Sequence, residues 1–226
     1  MVTWEKLPPE FKNEAVREYY DILCKKGFSL LLKRCFDIAA SSVLIILLSP
    51  VMLALAIWIK CDSEGPVFYR SERITRYNKP FRIFKFRTMV TNADKMGSLV
   101  TVAGDSRITK VGALIRHSRL DEIPQLFNVL IGQMSFVGTR PEVKKYVDAY
   151  TDEMMATLLL PAGITSTASI NYKDEDTLMK ELTDKGMSVD EAYIMHVLPE
   201  KMKYNLEYTR SVGLLRDIAI CIETVL

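Results

Sequence analysis

The sequence predicts a mostly helical α+β protein: a re-entrant membrane helix hairpin joined to a small cytoplasmic domain with interfacial amphipathic helices and an associated β-hairpin. Three observations carry this expectation. A 24-residue run from Phe36 to Ile59 has Asp37 as its only charge, two stretches between Val67 and Met89 alternate apolar with basic residues, and a series of helical patterns follows them. At 226 residues and 49% hydrophobic side chains, the chain has room for one folded domain beside a membrane element. The expected divisions are an N-terminal interfacial helix at 1–30, the membrane helix at 31–60 and the cytoplasmic domain at 61–226.

The first helix is read from Phe11, Ala15, Val16, Tyr19, Ile22 and Leu23, which recur at helical spacing after Pro8-Pro9, with Gly27 ending the pattern. Near the C-terminus Leu214, Leu215, Ile218, Cys221, Ile222 and Val225 form a second apolar stripe. Either helix suits the headgroup layer or packing on the domain.

The run Phe36–Ile59 is long enough to cross a bilayer, which takes about 20 residues. Lys25, Lys26, Lys33 and Arg34 precede it, and Lys60, Arg70, Arg73, Arg76 and Lys79 follow it. Basic flanks favour the cytoplasmic side, so both ends are drawn there. A single crossing cannot satisfy both. A segment broken near its middle can, and Ser49-Pro50 stands near the middle. Pro50 lacks an N–H and displaces the carbonyl four residues back. Ser41, Ser42 and Ser49 offer hydroxyls to backbone groups freed by such a break. A spanning helix kinked at Pro50 and a buried helix of a soluble core are the alternatives. The apolar run begins near residue 36 and lacks a small-residue cleavage motif, so no cleavable signal peptide is expected.

Beyond it, Val67–Ile74 and Phe81–Met89 read as a hairpin with a cationic face, turning at Tyr77-Asn78-Lys79-Pro80. Helical patterns then cover about 106–117, 122–131, 142–160, 177–185 and 199–212. No internal repeat or long linker divides them.

The net charge of +2 gives no argument for nucleic acid, but charge is unevenly placed. Lys60–Leu120 carries thirteen Lys and Arg against five Asp and Glu, whereas Pro141–Glu200 carries five against twelve. Cys24, Cys35, Cys61 and Cys221 form no C-x-x-C pair, so reduced thiols are expected rather than a zinc site or a disulfide framework.

Asp121 and Glu122 directly precede an apolar-periodic helix, and Pro124 suits only a first turn, which places Asp121 near the N-cap. A capping aspartate explains that position. So does a nucleophile kept ionised by helix-end N–H groups and by Arg116 and Arg119. Lys85, Arg87, Arg116 and Arg140 are the cations suited to a nucleotide-sugar diphosphate, by the planar fork of arginine or the point charge of lysine, though each alone also suits a solvated surface. Asp174-Glu175-Asp176 matches a metal-binding D-x-D, but in an acidic stretch it reads as an exposed loop or helix N-terminus. G-x-S-x-G, Walker A and G-x-G-x-x-G patterns are absent. His117 and His196 are too few for a histidine metal cluster, although His117 stands beside Arg116.

KRCFDI at Lys33–Ile38, Ser49-Pro50, KFRTM at Lys85–Met89, RLDEIPQLFNVLIGQMSFVGTRPE at Arg119–Glu142 and PAGIT at Pro161–Thr165 together resemble the bacterial sugar transferases called monotopic phosphoglycosyl transferases. The resemblance covers roughly residues 30–224. It implies a re-entrant helix broken at Ser49-Pro50, at the cytoplasmic face of a bacterial inner membrane with both termini cytoplasmic. It further implies transfer of a sugar 1-phosphate from a UDP-sugar to polyprenyl phosphate, as a first membrane step of glycan synthesis. In that scheme Asp121 attacks the sugar-bearing phosphate and expels UMP, Glu122 assists, and Mg²⁺ is the cofactor, with Asp121 as a candidate ligand. Membrane lipid is an expected partner and a homodimer is compatible. Two departures stand out: Thr139 replaces the family's usual proline before Arg140, and Pro161–Tyr172 lacks the usual Trp and Gln, which bears on the nucleotide or sugar pocket.

Overall fold

The computed structural model describes residues 1–93, 105–172 and 175–225. Helix α1 (Glu14–Lys25) starts where the Asn13 side chain accepts the Val16 N–H at 2.8 Å, a standard way to satisfy a first-turn donor. Its Val16, Tyr19 and Leu23 are almost fully buried, with Leu7 and Phe11 in the same core. Each such side chain contributes about 1.5–3 kcal/mol by leaving water. Of the two settings open to this helix, α1 therefore takes the domain core.

Helix α2 (Gly27–Asp62) is the one helix among the described residues long and apolar enough to cross a membrane. It buries Lys33, Asp37 and Ser41 near its start and Leu55 and Ile59 near its end. Between these, Val43, Ile46, Leu47, Val51 and Leu53 stay exposed, which rules out the buried core helix of a soluble protein. The expected break at Ser49-Pro50 is not present. α2 remains helical through Pro50, and the Ser49 hydroxyl donates at 2.8 Å to the Ile46 carbonyl, the group whose helical donor Pro50 removes. Ser41 and Ser42 instead bond the Ile38 carbonyl, away from the proline. A re-entrant path would have to bend within one continuous helix.

The first part of α2 is fastened to the domain by polar contacts. Buried Lys33 pairs with Asp217 and donates to the Val137 carbonyl at 2.9 Å, while the Tyr208 hydroxyl donates to Asp217 at 2.7 Å. Arg34 caps a short helix, α4 (Gln125–Leu130), by donating to the Val129 and Leu130 carbonyls at 2.6 and 2.8 Å. The last part of α2 packs through Leu55 and Ile59 on α3 (Lys110–His117).

The hairpin forms as two short antiparallel ladders. β1 (Phe68–Tyr69) pairs with β4 (Lys85–Phe86), and β2 (Glu72–Thr75) pairs with β3 (Lys79–Arg82). The reversal lies at Arg76–Asn78, earlier than expected, because Tyr77 and Asn78 take positive φ (60° and 57°) and Lys79-Pro80 joins β3. At the interruption between ladders, buried Asn128 of α4 substitutes for a strand neighbour. Its side chain accepts the Phe84 N–H at 2.8 Å and donates to the Arg82 carbonyl at 3.1 Å.

A parallel pair, β5 (Met134–Val137) and β6 (Ala162–Thr165), was not legible in the sequence. Gly163 lies inside β6 opposite Ser135 and Gly138 directly follows β5, so close that a Cβ on Gly163 would lie 2.2 Å from the Gly138 nitrogen. The helix expected over 142–160 is only α5 (Lys144–Val147) and a 3-10 segment, Met154–Leu159, because Thr151 takes the Met154 N–H and restarts the chain. After α6 (Thr167–Asn171) and α7 (Glu175–Asp184), α8 (Val189–Ala192) passes through a π turn into α9 (Leu198–Ser211), and α10 (Leu214–Val225) follows. α10 buries Asp217 and Ile220 but turns Leu215 and Ile222 outward, unlike α1.

Candidate active site

Asp121 and Glu122 sit in a single 3-10 turn, Leu120–Glu122, between α3 and α4. Leu120 packs into the cluster of Leu55, Ile59, Phe86, Val111 and Ile115, tying the turn to the end of α2. Pro124 occupies the N-cap of α4 without a side-chain cap bond. Asp121 therefore does not cap a helix, and a six-residue helix lends it little dipole.

The two carboxylates differ sharply. Glu122 accepts from Lys85 Nζ and Arg140 NH2 at Oε1, each at 2.7 Å. Burial opposes ionisation of Glu122, yet the charges of Arg140 and Lys85 win and hold it well below the ordinary carboxylate range. Arg140 is in turn held firmly protonated by Glu122. Asp121 has no such clamp. Burial pushes its carboxyl up, Lys85 and Arg116 pull it down, Glu122 pushes it further up, and the net direction is upward. Burial thus outweighs the cations in setting the direction of the Asp121 shift, while Lys85 and Arg116 still favour its ionised form. Lys85, itself half-buried, is shifted downward by desolvation despite its partner.

A cleft of about 530 Å³ opens beside Asp121. Lys85, Arg87 and Arg116 line it with Asp121, facing Phe68, Tyr69, Arg70 and Arg73 of the hairpin. Three of the four expected cations thus share the cleft, while Arg140 acts on it through Glu122. Arg87 is the most committed of them: its NH1 and NH2 donate to the Glu64 and Ser63 carbonyls at 2.7 and 2.6 Å, leaving buried Nε unpartnered. Gly65 makes room for this contact, since a Cβ there would meet Arg87 NH1 at 2.0 Å. The sequence reading missed Arg73 and Arg107 as lining residues and Asn128 as the link that sets β4, and so Lys85, against the Glu122 turn. A polar residue at an apolar position of FNVL was the available signal for Asn128.

Thr139 does not loosen the loop before Arg140. Its carbonyl accepts the Gly163 N–H at 2.9 Å, and Gly138 N–H donates to the Thr165 carbonyl at 3.1 Å, so strand pairing supplies the rigidity that proline would. No residue of 161–172 lines the cleft. His117 and His196 are exposed and outside it. Of the D-x-D pattern, Asp174 lies outside the described residues, and Glu175 begins α7 paired with Lys201.

Among the described residues no three His, Cys, Asp or Glu converge as a preformed metal cage. Both Glu122 oxygens face cations, whereas Asp121 makes no ion pair with a described residue. The donor set suits Mg²⁺ in the form that ion often takes, one protein carboxylate completed by phosphate oxygens and water.

Several curated proteins are similar to this chain. It is 35% identical over 197 residues to the UDP-N-acetylgalactosamine-undecaprenyl-phosphate N-acetylgalactosaminephosphotransferase of Aeromonas hydrophila, covering 86% of this chain and 43% of that protein. It is 39% identical over 173 residues to the UDP-glucose:undecaprenyl-phosphate glucose-1-phosphate transferase of Klebsiella pneumoniae, covering 74% and 37%. A protein of the same description from Caulobacter vibrioides is 33% identical over 196 residues, covering 85% and 68%. The chain thus spans less than half the length of the first two. The model of the family described as bacterial sugar transferase matches residues 28–226, and with the motifs gathered around Asp121 this places the chain in the bacterial sugar transferase family.

Proposed function

We propose that the chain transfers a sugar 1-phosphate from a UDP-sugar to undecaprenyl phosphate, releasing UMP, through a covalent phosphosugar on Asp121. The observation that carries this reading is the unclamped, half-buried Asp121 at a cationic cleft, beside a Glu122 whose charge is fully engaged. The names of the relatives support the classes of donor and acceptor. In the first step an Asp121 oxygen bonds to the sugar-bearing phosphorus and the bond to the UMP oxygen breaks. In the second, a lipid phosphate oxygen bonds to that phosphorus and the Asp121 carboxylate leaves with its electron pair. Lys85 and Arg116 lower the repulsion between carboxylate and diphosphate, and Glu122 fixes Lys85 in place. Mg²⁺, bound by Asp121 and the donor phosphates, would supply further charge neutralisation. The relatives differ in sugar, so the sugar is left unassigned.

The purified chain in nanodiscs with Mg²⁺, undecaprenyl phosphate and UDP-glucose or UDP-N-acetylgalactosamine should release UMP. Release of UDP instead would point to sugar transfer without phosphate and defeat the proposal. Arg116→Ala and Arg140→Ala should each lower kcat/KM roughly a hundredfold. Lys79→Ala, at an exposed hairpin position, should change it little. Equal small effects at all three would mean the phosphates bind elsewhere.

We also propose that α2 enters the cytoplasmic face of the inner membrane and returns, leaving both termini cytoplasmic. Contacts at both ends of α2 with one domain, and a run of exposed apolar residues between them, support this path. Cysteine labelling of intact cells tests it. A cysteine after Ile59 labelled from the periplasm, with one before Phe36 protected, would establish a spanning helix. Pro50→Leu should shift molecules toward spanning, because it restores the missing N–H and removes the ring that favours a bend at that point, and an apolar helix of this length reaches across.

A further inference from the structure

Strand β5 ends at Val137, shortly before Arg140, so its placement decides where that guanidinium stands. It pairs with β6 through Met134, Ser135 and Val137, and Gly138 and Thr139 continue the pairing. Phe136 is the residue of β5 left out of that register. Its N–H is donated instead to Asp37 Oδ1 at 3.2 Å, and the carbonyl of the next residue, Val137, accepts from Lys33 Nζ at 2.9 Å. Lys33 and Asp37 lie one turn apart on α2 and are 4% and 3% exposed. Neither lines the cleft. Burying charged groups adds little stability over apolar packing of similar volume, and its best-attested use is to fix one register.

The chain from Glu122 runs through α4 and β5 to Arg140 and is closed by the Arg140–Glu122 ion pair. The same turn of α2 grips this loop on both arms. Arg34 holds the Val129 and Leu130 carbonyls at the end of α4, while Lys33 and Asp37 hold the end of β5. Between Val137 and Arg140 the chain is fixed by the Gly138–Thr165 and Thr139–Gly163 bonds, so a displacement of β5 is passed on rather than absorbed. A guanidinium bonded to a carboxylate at 2.7 Å tolerates little displacement. We infer that Asp37, with Lys33 beside it, is a positioning residue for the transferase reaction, setting the strand that delivers Arg140 to Glu122; the inference rests on the proposed function. What Asp37 supplies is an acceptor oxygen at a fixed place. Lys33 has Asp217 as its counter-ion, so asparagine can stand in for Asp37.

In nanodiscs, with whichever of UDP-glucose and UDP-N-acetylgalactosamine gives the adduct, Asp37→Ala should lower kcat/KM for adduct formation roughly tenfold, and Asp37→Asn should stay near the wild-type value. The double variant Asp37→Ala/Arg140→Ala should lose no more than the roughly hundredfold lost by Arg140→Ala alone, because the strand then has no guanidinium to deliver. A role confined to holding the fold together would let the two losses multiply to roughly a thousandfold, and that result would overturn the inference. So would unchanged activity of Asp37→Ala, or an Asp37→Asn variant as poor as Asp37→Ala, which would assign the effect to charge. Should Asp37→Ala not fold, Asp37→Ser, whose hydroxyl stands a bond length short of the carboxylate oxygen, takes its place with the same outcomes. If the wild type releases UMP without any adduct, the covalent reading fails by itself and the same cycle is read on UMP release. If it releases none, the proposed function fails and the cycle is read on Tm. The loss caused by Arg140→Ala must then be smaller in the Asp37→Ala background, and equal losses in both backgrounds would overturn the placement of Arg140 by Asp37.

Discussion

Asp121→Asn is expected to form no phosphosugar adduct and to lose turnover by about 10⁴-fold or more, the scale of removing a nucleophile. Wild-type protein given a UDP-sugar and Mg²⁺ without lipid should gain the mass of one phosphosugar, mapped to Asp121 and lost when undecaprenyl phosphate is added. The variant should nonetheless fold well. Asp121 makes no cap bond and no ion pair with a described residue, and burial raises its pKa. A carboxyl whose folded pKa lies above its unfolded value binds its proton more tightly when folded, so ionisation as pH rises through that window weakens folding. Asparagine cannot ionise. Its Tm at neutral pH should therefore equal or exceed that of the wild type, separating loss of chemistry from loss of structure. Substantial lipid-linked product from Asp121→Asn would mean that the lipid phosphate attacks the donor directly.

How much of this was legible in the sequence depends on how far each interaction reaches along the chain. Local periodicity located α1, α7, α9 and the hairpin, and an uncharged run located α2. It overreached at 142–160, where apolar residues recur at helical spacing but Thr151 interrupts the helix. The β5–β6 pair escaped because four-residue strands containing or abutting glycine carry little pattern, and their register is set by close backbone approach at Gly138 and Gly163. Asp121, Glu122, Lys85 and Arg116 were visible as residue types near one another in sequence or charge. Their division of labour was not. Only three-dimensional contact shows that Arg140, eighteen residues beyond Glu122, and Lys85, thirty-seven before it, meet on one carboxylate oxygen. Burial then raises the Asp121 pKa, an effect that no sequence pattern displays.

That clamp makes Glu122→Gln the second variant with a large expected effect. The amide lacks the charge that clamps Arg140 and Lys85, so adduct formation should fall about 10³-fold as that clamp is released with Lys85 still beside Asp121. Stability should fall as well. Glu122 has a depressed folded pKa, so its ionised form stabilises the fold above the ordinary glutamate range, and this contribution fades as pH drops through the folded pKa. Losing these charge-assisted bonds at neutral pH should cost about 1.5–3 kcal/mol, measurable by denaturant unfolding. The pH profile gives a sharper test than either rate or stability. Adduct formation needs ionised Asp121, so in the wild type it should decline with falling pH through a value above the ordinary aspartate range. Glu122 raises the Asp121 pKa by its own charge and also draws on Lys85, which lowers it. Removing the Glu122 charge therefore moves the acid limb of Glu122→Gln to lower pH, although the plateau rate is reduced. Lys85→Met should move that limb the other way, because the cation that favours ionised Asp121 is lost. An acid limb that stayed fixed in both variants would show that Asp121 is not the titrating group, and the assignment of nucleophile to Asp121 and clamp to Glu122 would fail together.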